Sequence, residues 1–157
     1  MPSAKFIFPT NFGTIPVNQT FTVQVAIQHL DTGWFTNPDK TYMSGPQEVN
    51  AAGDVMGHSH VVIELLTGFN QTTPTDPKDF KYFKGLNGPA VNGVLSCDVP
   101  SDRLGVGYYR IAVIHSGANH QPSTWNYGLL TRQRVGLTDC SSWIYSRCPG
   151  CQTRGSG

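Results

Sequence analysis

The sequence predicts an all-β fold, an antiparallel β-sandwich of Ig-like or jelly-roll-like type with one short helix near residues 76–86. Three observations point there. Only 13% of the 157 residues are charged, against roughly 25% in an average soluble chain. The 17 glycines, 11 prolines and 11% aromatic residues favour turns and ring-rich strands, whereas a helical bundle would need Glu, Lys, Ala and Leu. Apolar and polar residues also alternate in several short runs bounded by Gly, Pro and Asn. With 38% hydrophobic residues the chain can fill a core, which argues against disorder. One domain over residues 1–157 is expected, its core at about 19–146, with a Cys-containing tail at 147–157.

Taken in order, Met1 to Lys5 lacks the apolar stretch and cleavage site of a signal peptide, so a mature or trimmed chain is expected. The ending Gly155-Ser156-Gly157 is placed outside the fold. Phe21 to His29 is the strongest strand: Phe21, Val23, Val25, Ile27 and His29 share one face, which makes His29 a core histidine. Thr32-Gly33, Asn37-Pro38 and Gly53-Asp54 break the chain. In the strand His58 to Leu66, Val61, Ile63 and Leu65 share the apolar face, and His58, His60, Val62 and Glu64 the other. Asp76 to Leu86 has helix grammar: Asp76 as cap, Pro77 at the first position, a Phe80/Phe83/Leu86 stripe and Gly85 as a stop. Asn92-Gly93 is a tight turn into Val94 to Val99. Gly107 to His115 follows with Tyr109, Ile111 and Val113 on one face, and Leu129 to Val135 and Ser142 to Tyr145 are weaker strands.

A net charge of +1 provides no basic footprint, so neither nucleic acid nor an anionic membrane surface is expected as a partner. No apolar run approaches the roughly 20 residues of a membrane span. Nucleophile-elbow, P-loop and dinucleotide-binding glycine patterns do not occur.

Cys97, Cys140, Cys148 and Cys151 make an even set, expected to form two disulfides in an oxidising compartment. Three pairings satisfy the count. A zinc site on Cys148-Pro149-Gly150-Cys151 would lack the usual second CxxC. Asn18-Gln19-Thr20 and Asn70-Gln71-Thr72 are glycosylation sequons.

The histidines offer two readings. Residues two apart on a strand point the same way, so His58, His60 and Glu64 can project together, joined by His115 or His120, as a site for a transition metal. His58-x-His60-x-x-x-Glu64 is similar to the first metal motif of cupins, and His115 to Asn119 echoes the second. That resemblance implies a metal-binding protein or enzyme. The other reading makes these histidines hydrogen-bonding partners of loop backbone, with no cofactor at all. The loops also carry Trp34-Phe35, Tyr42, Asn119, Trp125 and Tyr127. Flat rings beside amide donors suit a sugar ligand, and rings capping a sandwich core are the alternative.

Gly57-His58-Ser59-His60-Val61-Val62-Ile63-Glu64, with Ala51 to Val55, Asp79 to Asn87 and Ala118-Asn119-His120-Gln121-Pro122, resembles a group of secreted fungal proteins of unknown function. The likeness covers about residues 19–140 and carries over His58, His60, Asn119 and His120 as motif positions. It implies an extracellular or cell-wall-associated protein without catalytic activity. Such a protein would bind wall polysaccharide or self-associate, which low charge favours by removing self-repulsion.

Overall fold

A computed structural model describes residues 1–123 and the backbone of 131–134. Among the described residues, eight strands and one short helix run in the order β1 (Ser3–Phe8), β2 (Phe21–Gln28), β3 (Leu30–Thr32), α1 (Pro38–Thr41), β4 (Val55–Leu66), β5 (Tyr82–Leu86), β6 (Val94–Val99), β7 (Tyr108–Gly117) and β8 (Thr131–Arg134). The fold is all-β, as the composition and alternation predict. One sheet has the order β1-β2-β6, and the second has β3-β4-β7-β8 with β5 also on β4. All pairings are antiparallel except the parallel β3–β4 pair.

A single core lies between the sheets. Val23, Val25 and Ile27 of β2 and Leu95 and Val99 of β6 meet Val61 and Ile63 of β4 and Ile111 and Val113 of β7. Each such side chain contributes roughly 1.5–3 kcal/mol by leaving water. The Asn92-Gly93 turn has φ of 52° and 74°, the two left-handed residues that a tight hairpin turn requires.

Five expectations need correction. Tyr82–Leu86 is a strand along β4, not the end of a helix. Asp76 accepts at its side chain from Lys78 N and at its carbonyl from Asp79 N, which closes a turn. Lys81 N then donates to Ile63 O and starts the pairing. The open edge of β4 supplies a ladder of hydrogen bonds that outweighs a weak local helix signal. The same grammar does make a helix at Pro38–Thr41, capped by the Asn37 side chain. His29 is 62% exposed at its side chain and lies against Asp54 Oδ1 at 3.1 Å. Its φ of 59° ends β2 and sends Leu30 into the core as the chain crosses sheets. Leu65 lies half exposed near the end of β4, although Val61 and Ile63 on the same face are fully buried. Phe6 of β1 is buried in the core, so the core begins well before residue 19. Cys97 is a free, buried thiol facing inward from β6. It fills the core as a small apolar group, and burial raises its pKa to about 11. Cys140, Cys148, Cys151, Trp125, Tyr127 and the Ser142 to Tyr145 strand lie outside the described residues.

Candidate metal centre

Strand β4 is the central element of its sheet. β7 runs along one edge over Gly57 to Leu66, and β3 and then β5 run along the other. Its outward face carries His58 and His60, side by side two residues apart. Register pairs Gly57 with Gly117 and His58 with Ser116, so the turn after β7 lies beside the first of these histidines. That turn is closed by Gly117 N to Gln121 O at 2.7 Å and His120 N to Gly117 O at 2.9 Å. His120 sits in it at φ 63°. The close approach requires Gly57, because a Cβ there would lie 1.9 Å from Ser116 O.

The three rings therefore meet. Centroids are 4.7 Å apart for His58–His60, 4.5 Å for His58–His120 and 5.8 Å for His60–His120. One ring nitrogen from each lies within 4.8 Å of the others, the one such group among the described residues. Nitrogens holding a tetrahedral ion at 2.0–2.1 Å stand roughly 3.4 Å apart. A contraction of up to roughly 1.4 Å by ring rotation would reach that spacing.

His58 is fully buried, with Nδ1 3.0 Å from Trp34 O. A carbonyl only accepts, so Nδ1 carries the proton and Nε2 keeps its lone pair. Nε2 has no hydrogen-bond partner, and neither has the buried His120 Nδ1. A backbone carbonyl fixing the tautomer of a ring whose other nitrogen is free is the arrangement seen behind metal-ligating histidines. Burial lowers the pKa of His58 against the raising effect of the Trp34 bond, and neighbouring His120 lowers it further. Burial lowers His120 as well. His60 falls to about 4, first through burial and then through the nearby histidine charges. All three are neutral at pH 7, the form that binds metal.

Aromatic side chains enclose the cluster. Phe35 stands edge-on to His58 and His120, Tyr42 stacks on His120 at 5.1 Å, and Phe83 stacks on His60 at 5.4 Å. A cavity of about 550 Å³ opens over His60 and His120.

The five-residue set drawn from the sequence divides. Glu64 shares the outward face but stands four residues, roughly 13 Å, beyond His60. It is held by Arg110 at 2.6 Å and by Thr75. His115 points inward, bonded through Nδ1 to Ser59 Oγ at 2.8 Å, because it pairs with Ser59 across the sheet. Neither reaches the cluster, so the cupin-like ligand set does not form. Asn119 is occupied within the fold: Oδ1 accepts from Thr36 Oγ1 and its carbonyl from Met43 N. It anchors the 34–44 loop over the histidines. Phe83, read from sequence as part of a helix stripe, joins the site because its segment is a strand.

Fold and site together define a two-sheet β domain with a three-histidine cluster on the outer face of one sheet. The chain belongs to the CLU5d N-terminal domain family, whose model matches residues 4–142. It is 36% identical over 139 residues to a protein named Pathogenicity cluster 5 protein d from Colletotrichum graminicola. That alignment covers 86% of this chain and 28% of the relative, so the chain spans little more than a quarter of that protein's length. No solved structure matches.

Proposed function

We propose that this domain binds a divalent transition-metal ion through His58, His60 and His120, leaving a coordination position open to the cavity. The observation that carries the reading is His58 Nε2, a fully buried lone pair with no partner on a ring whose tautomer is fixed by Trp34 O. Three neutral imidazoles suit zinc, copper, nickel or cobalt. The pattern of three protein ligands with one open position is that of reactive rather than purely structural zinc sites. Titration calorimetry on chain stripped with chelator tests it. One equivalent of zinc or cobalt is expected, with a rise in melting temperature that grows with metal concentration. Less than about a tenth of an equivalent would overturn the reading, because a three-ligand site should fill under saturating metal.

A second reading concerns the setting of the domain. We infer an extracellular, wall-associated role, supported by the fungal relative named for pathogenicity and by the exposure of Asn18 and Asn70 within their sequons. Pull-down on chitin and β-glucan with light scattering of the eluted chain tests it. A strictly monomeric chain that binds neither polymer counts against it.

A further inference from the structure

The cavity over the histidines is unusual in its lining. Phe35, Tyr42, Met43, Phe83 and Ile114 all face it, and each is 42–56% exposed. Isolated exposed apolar residues need no explanation, but a group gathered around one hollow marks a binding surface. A volume of about 550 Å³ falls within the range of small-molecule sites and is concave. No Asp, Glu, Lys or Arg lines it; beside the histidines its polar side-chain groups are the Asn87 amide and the Ser116 and Tyr42 hydroxyls.

Charge then limits the ligand. A divalent ion on three neutral imidazoles keeps its full double charge. Glu64, on the same face of the sheet, is already matched by Arg110. A charge in an apolar setting is costly unless paired, so the missing negative charge must arrive with whatever fills the open position. The walls select the rest of that molecule. A sugar would give up many water hydrogen bonds for the few that Asn87, Ser116 and the Tyr42 hydroxyl can return, whereas a flat ring gains stacking area on Phe83 and Tyr42.

Resting on the metal reading above, we propose that the cavity binds a planar aromatic molecule carrying an ionised oxygen donor, of the catechol or aromatic-acid class. The oxygen takes the open metal position and the ring lies among Phe35, Tyr42 and Phe83. Binding is ligand exchange: the donor oxygen replaces water on the ion and releases its proton to solvent where it enters as a phenol.

The test uses cobalt-loaded chain and 4-nitrocatechol, whose visible band shifts when its oxygens bind a metal. Saturation at one equivalent is expected, with benzyl alcohol, acetate and soluble β-glucan fragments each competing at least about tenfold more weakly. With cobalt held at saturation, Phe83→Ala should weaken nitrocatechol roughly fivefold to tenfold. Phe83 is half exposed, so its loss leaves the core intact, and an unchanged melting temperature confirms this. Cobalt must stay with the chain on gel filtration; extraction into solution by nitrocatechol counts against the proposal. If cobalt binds but nitrocatechol does not, or binds Phe83→Ala equally well, the ligand class is wrong and the metal centre stands. Preference for β-glucan fragments likewise overturns it in favour of a sugar site. If cobalt fails to bind, both readings fall.

Discussion

Two polar clusters, built around buried Glu64 and buried His58, stand on the outer face of β4, and they follow opposite rules. Beyond Val62, Glu64 faces its cross-strand partner Arg110 at 2.6 Å. Thr75 donates to Glu64 Oε1 and accepts from Arg110. Charge cancels and the groups satisfy one another. At His58, His60 and His120 there is no opposite charge, and two ring nitrogens are left without partners. Networks that only hold a fold together are expected to be satisfied. The comparison teaches that burial alone does not mark a site; unsatisfied ring nitrogens gathered with a third ring at one point do.

The comparison can be broken first at its open end. Gly57→Ala would place a methyl 1.9 Å from Ser116 O. The backbone on both sides is strand, so nothing flexible can yield. A loss of about 4 kcal/mol is expected from urea unfolding; a loss under about 1 kcal/mol would show that β4 and β7 do not approach so closely there. At the closed end, Arg110→Met leaves Glu64 buried without its partner, and about 3 kcal/mol should be lost. The double variant Glu64→Leu/Arg110→Met should recover part of that, with a coupling of about 1–3 kcal/mol. Strict additivity would mean that the two residues do not act as a pair.

The sequence revealed these two ends unequally, for physical reasons. Strand parity alone put His58, His60 and Glu64 on one face and Val61 and Ile63 on the other, because side-chain direction on a strand is local. Distance along the face is equally local: four residues of strand put Glu64 roughly 13 Å from His60. His120 joining His58 depends on the β4–β7 register and on a left-handed turn, neither of which a one-dimensional pattern contains. The strand at Tyr82–Leu86 was hidden by a good capping sequence, since the edge of β4 that captures it lies about 20 residues upstream in the chain. Its capture also brings Phe83 to the site. β1 carries little signal in the sequence, because Phe6 is its one buried residue, too little alternation to mark a strand.

Acid should weaken the histidine-bearing end of the sheet before the carboxylates titrate. His60 and His115 both fall to about 4 in the folded chain, from about 6.5 when unfolded. Between these values the unfolded chain binds more protons, so stability rises with pH across the window. It is full above about pH 6.5, declines as pH falls through the window and levels off below about 4. From pH 6.5 to 5.5 the two groups together should cost about 2 kcal/mol. Urea midpoints at both pH values measure this. His60→Asn should remove about 1 kcal/mol of that loss, and a flat profile in the parent would contradict the lowered pKa of these rings.

The smallest change in stability should accompany the clearest change in binding. His120 holds φ 63°, a conformation that glycine adopts freely and a β-carbon resists by roughly 1 kcal/mol. Its Nδ1 is buried without a partner, a further cost that His120→Gly removes. Against these gains stand the stacking on Tyr42 and the edge contact with Phe35, worth roughly 0.5–1.5 kcal/mol each, and the greater freedom of glycine in the unfolded chain. The opposing effects leave the metal-free variant within about 1 kcal/mol of the parent. His58→Ala differs, because it strips Trp34 O of its donor and leaves a hole in a fully buried position, at a cost of about 2 kcal/mol. Both variants should lose the metal-dependent rise in melting temperature. If His120→Gly lost more than about 2 kcal/mol without metal, His120 would be a structural residue of the turn. If it kept the full metal-dependent rise, the ion would be held without it.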